Sequence, residues 1–173
     1  TVAATLACVL AAENEVALFD ADVHGPNVPS LLGVSGPIHS SDEGDPLPVR
    51  TAGMDVMSVG LMEDGAPLAW RGAMAHDAVD DLFANTAWRN DDVLVVDLPP
   101  GTGDVVLTTL QEVPGDGVCA VTTPFHASVS DTARTVELFR DNDVPVLGTV
   151  VNMAEYVCDC CGEPNALFED DAD

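Results

Sequence analysis

Three clusters of residues in this sequence have the types and spacing to do chemistry. The first is the run Val93-Leu-Val-Val-Asp97-Leu-Pro-Pro-Gly101-Thr-Gly103-Asp104. An aliphatic strand that delivers a carboxylate to its tip and then breaks into a glycine-rich turn is how nucleotide hydrolases hold a hydrated Mg2+ beside a γ-phosphate. An ordinary strand end also uses an Asp to open a turn, but it does not need the rest of that run. The second cluster is Phe19-Asp20-Ala-Asp22-Val-His-Gly-Pro-Asn27. Two carboxylates two residues apart at a strand exit can hold magnesium waters and orient an attacking water in phosphoryl transfer. They can equally open a turn and cap the next helix; their place, one strand after the helix that opens the chain, favours the first use. The third is Tyr156-Val-Cys158-Asp-Cys160-Cys161-Gly162-Glu163. Thiolates three apart can share one metal centre, and two per chain leave four-coordination incomplete, so the chemistry calls for a second subunit and hence a homodimer. A zinc site, a thioredoxin-like redox pair and plain exposed thiols are the alternatives. Cys160 is available as a surrogate ligand. Glu155, Asp159 and Glu163 are expected to disfavour free thiolates, which leaves metal binding as the better use of these sulfurs.

Elements must carry these clusters to one place. Residues 1–12 are small and apolar on all sides and suit a buried helix. Runs at 16–19, 54–60, 93–96, 118–121 and 146–151 read as strands. The apolar spacing of Met74, Ala78, Leu82 and Phe83 predicts a helix over 71–87 with Asp77 and Asp81 facing solvent. Ser128 with Asp131 reads as a capping box opening a helix that ends near Asn142. Five strands alternating with helices, too uniformly apolar to have a wet face, predict a mostly parallel sheet covered on both sides, a three-layer α/β/α sandwich. Ligands in such sheets bind at the carboxyl ends of strands, where Asp20, Asp22, Asp97, Thr122, Thr123 and Asn152 fall. Residues 36–48 and the acidic tail 169–173 are expected to be loosely ordered.

Composition bounds the partners. Thirty acidic residues against five basic ones give a net charge of −25, and every basic residue is Arg. Such a chain repels nucleic acid and anionic membranes, so neither is an expected partner. The carboxylates are scattered among core-forming residues, which suggests a halophile: in molar salt the Debye length falls to about 3 Å and screens the self-repulsion. No apolar run approaches the roughly 18 residues of a membrane span, and no signal peptide opens the chain, so the expected location is the cytoplasm. Of the five cysteines, Cys8 and Cys119 lie in apolar segments and are expected to be buried core residues. The histidines at 24, 39, 76 and 126 are not spaced as a metal cluster.

The first two clusters, with Ala69-Trp-Arg71-Gly-Ala-Met74 between them, then Val121-Thr-Thr-Pro124, Val144-Pro-Val-Leu-Gly-Thr-Val-Val-Asn152-Met153 and the pair Cys158 and Cys161, resemble the Mrp/ApbC family of P-loop ATPases along nearly the whole chain. The resemblance implies a SIMIBI-like P-loop NTPase fold, ATP and Mg2+ as cofactors, and a homodimer that sandwiches ATP. It also implies a bridging [4Fe–4S] cluster, held by two cysteines from each chain and passed to apo iron–sulfur proteins. On it, Asp22 is the switch I carboxylate and Asp20 supports its water network. Asp97 is the Walker B residue that holds Mg2+ through water, Gly101 and Gly103 lie in switch II, and Asn152 contacts adenine. Thr1 begins the helix that in the family follows the phosphate-binding loop, and counts with the cofactor-binding residues. That Gly-Lys-Gly-Gly-Val-Gly-Lys-Ser/Thr loop is not in a sequence without lysine, and the family's strands beyond the cluster site are not in it either. Residues 1–173 are therefore expected to be a fragment of a single ATPase domain, incomplete at the first strand, the loop and the last strands, and inactive by itself. Phe125-His126 stands where relatives commonly carry Gln-Glu, and its role is open. A partitioning or division-type switch ATPase, and a zinc-bridged dimer without enzymatic activity, are the rival readings; the former would need basic or amphipathic surface elements that the sequence does not show.

Overall fold

A strand with no polar residue before its last position is stable only with both faces covered and neighbours on both edges, and residues 16–20 are placed that way. The computed structural model describes residues 1–62, 73–89, 92–103, 106, 109 and 115–168. β1 (Val16–Asp20) is buried along its whole length. It pairs in parallel with β3 (Met54–Ser58) on one side and β4 (Val93–Asp97) on the other. β2 (Val49–Thr51) adds an antiparallel edge to β3, giving the order β2-β3-β1-β4.

The pleat sends alternate side chains to opposite layers. Val16, Leu18, Met54, Val56, Val93 and Val95 pack with Ala4 and Ala7 of α1 (Val2–Leu10) and with Val28 and Leu32 of α2 (Val28–Leu32). On the other face, Phe19, Met57 and Val96 pack with Val79, Leu82 and Phe83 of α3 (Ala73–Asn85) and with Trp88. The rings of Phe19, Phe83 and Trp88 close this core with centroids 5.3 to 6.1 Å apart. The result is the expected three-layer α/β/α arrangement around a mostly parallel sheet. The same alternation turns Asp20, Ser58 and Asp97, the last residues of three adjacent strands, toward the α1/α2 layer. At the opposite end of the strands the buried Asp55 is held by two of the five arginines, Arg50 at 3.1 Å and Arg89 at 3.2 Å, and Arg50 also pairs with Glu15 at 2.9 Å.

The chain divides into two compact units, Thr1–Glu112 and Val113–Asp173. In the second, β5 (Val118–Thr122) and β6 (Val146–Val151) pair in parallel across α4 (His126–Asp141). β7 (Glu155–Val157) and β8 (Pro164–Ala166) then make an antiparallel hairpin. The five expected strands are all present; among the described residues three lie in the four-stranded sheet and two in this second one.

Several local expectations are corrected. α1 is not buried all round: an outer-layer helix meets the sheet along one stripe, here Ala4 and Ala7, and leaves Leu6, Cys8 and Val9 exposed. Cys119 is exposed too, because it alternates with Thr122, whose hydroxyl is the one that meets α4. α4 starts at His126 without a side-chain cap. Ser128 Oγ serves the strand tip instead, accepting from Thr123 N at 3.2 Å and lying 3.1 Å from Thr122 Oγ1. Residues 36–48 contain an ordered turn, with a Ser40–Pro46 bridge and Ser41 Oγ accepting from the amides of Glu43 and Asp45. Asp77 and Asp81 are exposed as expected. The segment 63–72, Asp104 and the tail 169–173 lie outside the described residues, as do the side chains of Met74 and Ala78.

Candidate functional site

Backbone register alone brings the first two clusters together, since Asp20 pairs with Asp97 on one side and with Ser58 on the other. Asp20 is 1% exposed. Its Oδ2 accepts from Ser58 Oγ at 3.0 Å and from Val28 N, at the start of α2, at 3.2 Å; its Oδ1 accepts from Asp22 N at 3.2 Å. Burial pushes its pKa up from 3.8 to about 6; the hydroxyl and the two amides pull it down, and the Asp97 charge adds to the rise. The Asp97 carboxyl is also raised, first by burial; the positive charge of the Thr1 amino group opposes the shift and the charge of Asp22 reinforces it. Asp22 Oδ1 accepts from the amides of His24 and Gly25, both at 3.1 Å, which folds the loop back on the carboxylate. Past β4, Ala21 N donates to Asp97 O at 3.0 Å, and the turn after it has Gly101 at φ 91°, a conformation that favours glycine. Gly101 and Gly103 are both exposed.

In the second unit, Asn152 stands just past β6. Its backbone N–H donates to Thr122 O at 2.7 Å and its Oδ1 accepts from Met153 N at 3.0 Å. The three cysteines occupy the turn of the β7–β8 hairpin. Cys158 N donates to Glu163 O at 2.9 Å, and Gly162, at φ 72°, donates to Cys158 O at 2.8 Å. The Cys158 thiol is held below its usual pKa by the backbone N–H of Cys161 first, then that of Cys160 and the Cys161 thiol. This corrects the expectation that the neighbouring acids disfavour a thiolate there: amides aimed at the sulfur outweigh carboxylates that point into water. Cys160 and Cys161 are exposed. Among the described residues no group of three or more His, Cys, Asp or Glu is arranged to hold a metal ion.

The donor types differ between the two places. Only oxygen donors meet at the strand tips, a hard set that suits a hydrated Mg2+. Only sulfur gathers at the hairpin, a soft set that suits iron–sulfur or zinc chemistry. Ser58 is the member of the tip cluster that the sequence did not mark; its one signal is a hydroxyl residue ending an otherwise core-forming strand one register step from Asp20. No helix among the described residues is long and apolar enough to cross a membrane.

A family model described as "ParA: NUBPL iron-transfer P-loop NTPase" matches residues 1–173. The iron-sulfur cluster carrier protein of Pseudomonas fragi is 41% identical over 172 residues, which is 97% of this chain and 60% of that protein. The iron-sulfur cluster transfer protein NUBPL of Mus musculus is 40% identical over 172 residues, 97% of this chain and 54% of that protein. The chain thus spans 54 to 60% of the length of these two relatives. A nucleotide-binding protein of Archaeoglobus fulgidus, solved in complex with ADP, superposes with a TM-score of 0.76 at 32% identity over 96% of this chain and 66% of its own. The septum site-determining protein MinD of Pyrococcus horikoshii, complexed with Mg-ADP, superposes with a TM-score of 0.62 over 88% of this chain and 63% of its own; at 16% identity the likeness is one of fold.

Proposed function

The chain belongs to the ParA family of NUBPL-type iron-transfer P-loop NTPases, and from that premise we propose that it is the nucleotide-binding part of an ATP-dependent iron–sulfur cluster carrier. Two copies hold a [4Fe–4S] cluster between them and pass it to apo iron–sulfur proteins in the cytoplasm.

The observation that carries the nucleotide half of this reading is the pairing of Asp20 with Asp97 at the tips of β1 and β4, with Asp22 in the loop that leaves β1 and bonded through its N–H to Asp20. Asp97 and Asp22 would hold a bound Mg2+ through its waters. When bound there, Mg2+ supplies positive charge to the β- and γ-phosphates. Asp22 would orient the attacking water, and Asp20, buried with its pKa raised to about 6, anchors the loop and its water network. Thr1 marks the helix terminus that faces the phosphates. The turn holding Gly101 and Gly103 reports whether the γ-phosphate is present, and Asn152 contacts adenine. The iron–sulfur cluster is cargo: Cys158 and Cys161 are its ligands from each chain, with Cys160 as a surrogate, and the amides on the Cys158 sulfur favour the thiolate that iron requires.

A polypeptide confined to these 173 residues has no lysine to lie against the phosphates and turns over MgATP negligibly. The test therefore uses the complete natural protein. Asp97→Asn and Asp22→Asn should each lower MgATP turnover by about 100-fold or more, the scale of removing one positioned charged group in a phosphoryl-transfer site. Turnover equal to the wild type in both variants overturns the reading.

A further inference from the structure

Ser58 ends a strand whose other side chains on the same face, Met54 and Val56, are core. Its side chain is fully buried, so a hydroxyl there carries a desolvation cost unless it is fully used. It is used twice. The Gly60 N–H donates to Ser58 Oγ at 3.1 Å, so the single hydroxyl proton is left for Asp20 Oδ2 at 3.0 Å. That same oxygen takes the Val28 N–H at 3.2 Å, so one carboxylate oxygen ties the tip of β3 to the start of α2. Gly60 makes a second tie. A Cβ there would stand 3.0 and 3.1 Å from Cβ and Cγ of Pro26 and 3.3 Å from Ser58 Oγ, so the turn after β3 seats Pro26 with no room for a side chain. Pro26 follows Gly25, whose N–H donates to Asp22 Oδ1. The loop that runs from Asp20 to Val28 thus rests on residues 58–60 at Asp20 and at Pro26.

From this geometry we infer that Ser58 is a positioning residue for the phosphoryl-transfer site: its hydroxyl orients Asp20, and the turn it begins seats the loop that carries Asp22. The inference rests on the reading of that site given above. Ser58 is fully buried and its hydroxyl is committed to the Gly60 N–H and to Asp20 Oδ2; it acts through Asp20 and the loop it holds, so its loss slows the chemical step without weakening nucleotide binding. In the complete natural protein, Ser58→Ala should lower kcat for MgATP about tenfold or more, the worth of one hydrogen bond to a charged group, with KM within about twofold of wild type. Because the hydroxyl acts chiefly through Asp20, adding Ser58→Ala to Asp20→Ala should slow turnover by much less than Ser58→Ala does alone. A wild-type kcat in Ser58→Ala, a matching rise in KM, or two variants whose effects multiply overturns the inference. Amide hydrogen exchange gives a readout that does not depend on turnover. In Ser58→Ala the amides of Asp22 and Val28 should exchange about tenfold faster or more while that of Leu82 in α3 is unchanged, and equal rates at all three overturn the inference. A wild-type protein that lacks MgATP turnover, yet shows this local acceleration, would refute the phosphoryl-transfer reading and leave the hold of Ser58 on the loop established.

Discussion

Asp20→Asn should make the protein more stable near neutral pH and less active. The carboxyl is 1% exposed and titrates at about 6 in the folded chain against 3.8 in the unfolded one. With the folded value above the unfolded one, the folded protein holds more protons between those two pH values. The stability contributed by the neutral acid is therefore full below about pH 4 and is lost as pH rises through about 6. Two pK units correspond to about 3 kcal/mol by pH 7. The asparagine avoids that cost but turns an N–H2 toward one of the three donors now bonded to Asp20, Asp22 N, Val28 N or Ser58 Oγ, and so loses a hydrogen bond worth about 1 kcal/mol. The variant should be about 2 kcal/mol more stable than wild type at pH 8 and about 0.5 kcal/mol less stable at pH 4. Urea unfolding in molar KCl, followed by the fluorescence of Trp88 against Phe19, measures the difference across that range. A difference that stays constant with pH, or that turns against the variant as pH rises, would refute the argument.

Other outcomes follow from charge. The unfolding midpoint of the wild-type protein should rise between about 0.1 M and 2 M KCl as the Debye length falls from about 10 Å to below 3 Å; a midpoint that does not move contradicts the halophile reading. Arg89→Ala should lower stability by about 1 kcal/mol, the low end of the cost of an orphaned buried acceptor, because among the described residues Asp55 Oδ2 makes no hydrogen bond and Arg89 Nε is its ion-pair partner at 3.2 Å, while the Arg89 side chain is 61% exposed and water replaces part of the contact. An unchanged urea midpoint would show that Arg50 alone satisfies Asp55.

The parts of this molecule that were legible in its sequence are those where one strong signal acts over several residues. The aliphatic run into Asp97 followed by Pro99 and Pro100 leaves no alternative to a strand and an abrupt turn, and the run into Asp20 is nearly as plain. Short elements were not legible, because tertiary contacts rather than propensity form them. α2 is five residues long and starts where Val28 N meets Asp20, and β2 is three residues whose Arg50 reaches Asp55. Ser58 was hidden because the run reads on to Gly60, which puts Ser58 inside the strand, whereas the strand ends at Ser58 and a tight turn follows. Cys8 and Cys119 show that an apolar neighbourhood is not burial: the first is on the outward stripe of a helix and the second on the sheet face turned away from α4. The Cys158 thiol shows the reverse error, in which charge was counted from sequence while the amides that decide it appear only once the hairpin turns.

Anaerobic reconstitution of the complete protein with ferrous iron and sulfide, read by metal and sulfide analysis with native mass measurement, tests the carrier account most directly. The account expects about four irons and four sulfides per two chains, lost in Cys158→Ala and in Cys161→Ala. A colourless zinc-loaded dimer, or a cluster held by one chain alone, would contradict it.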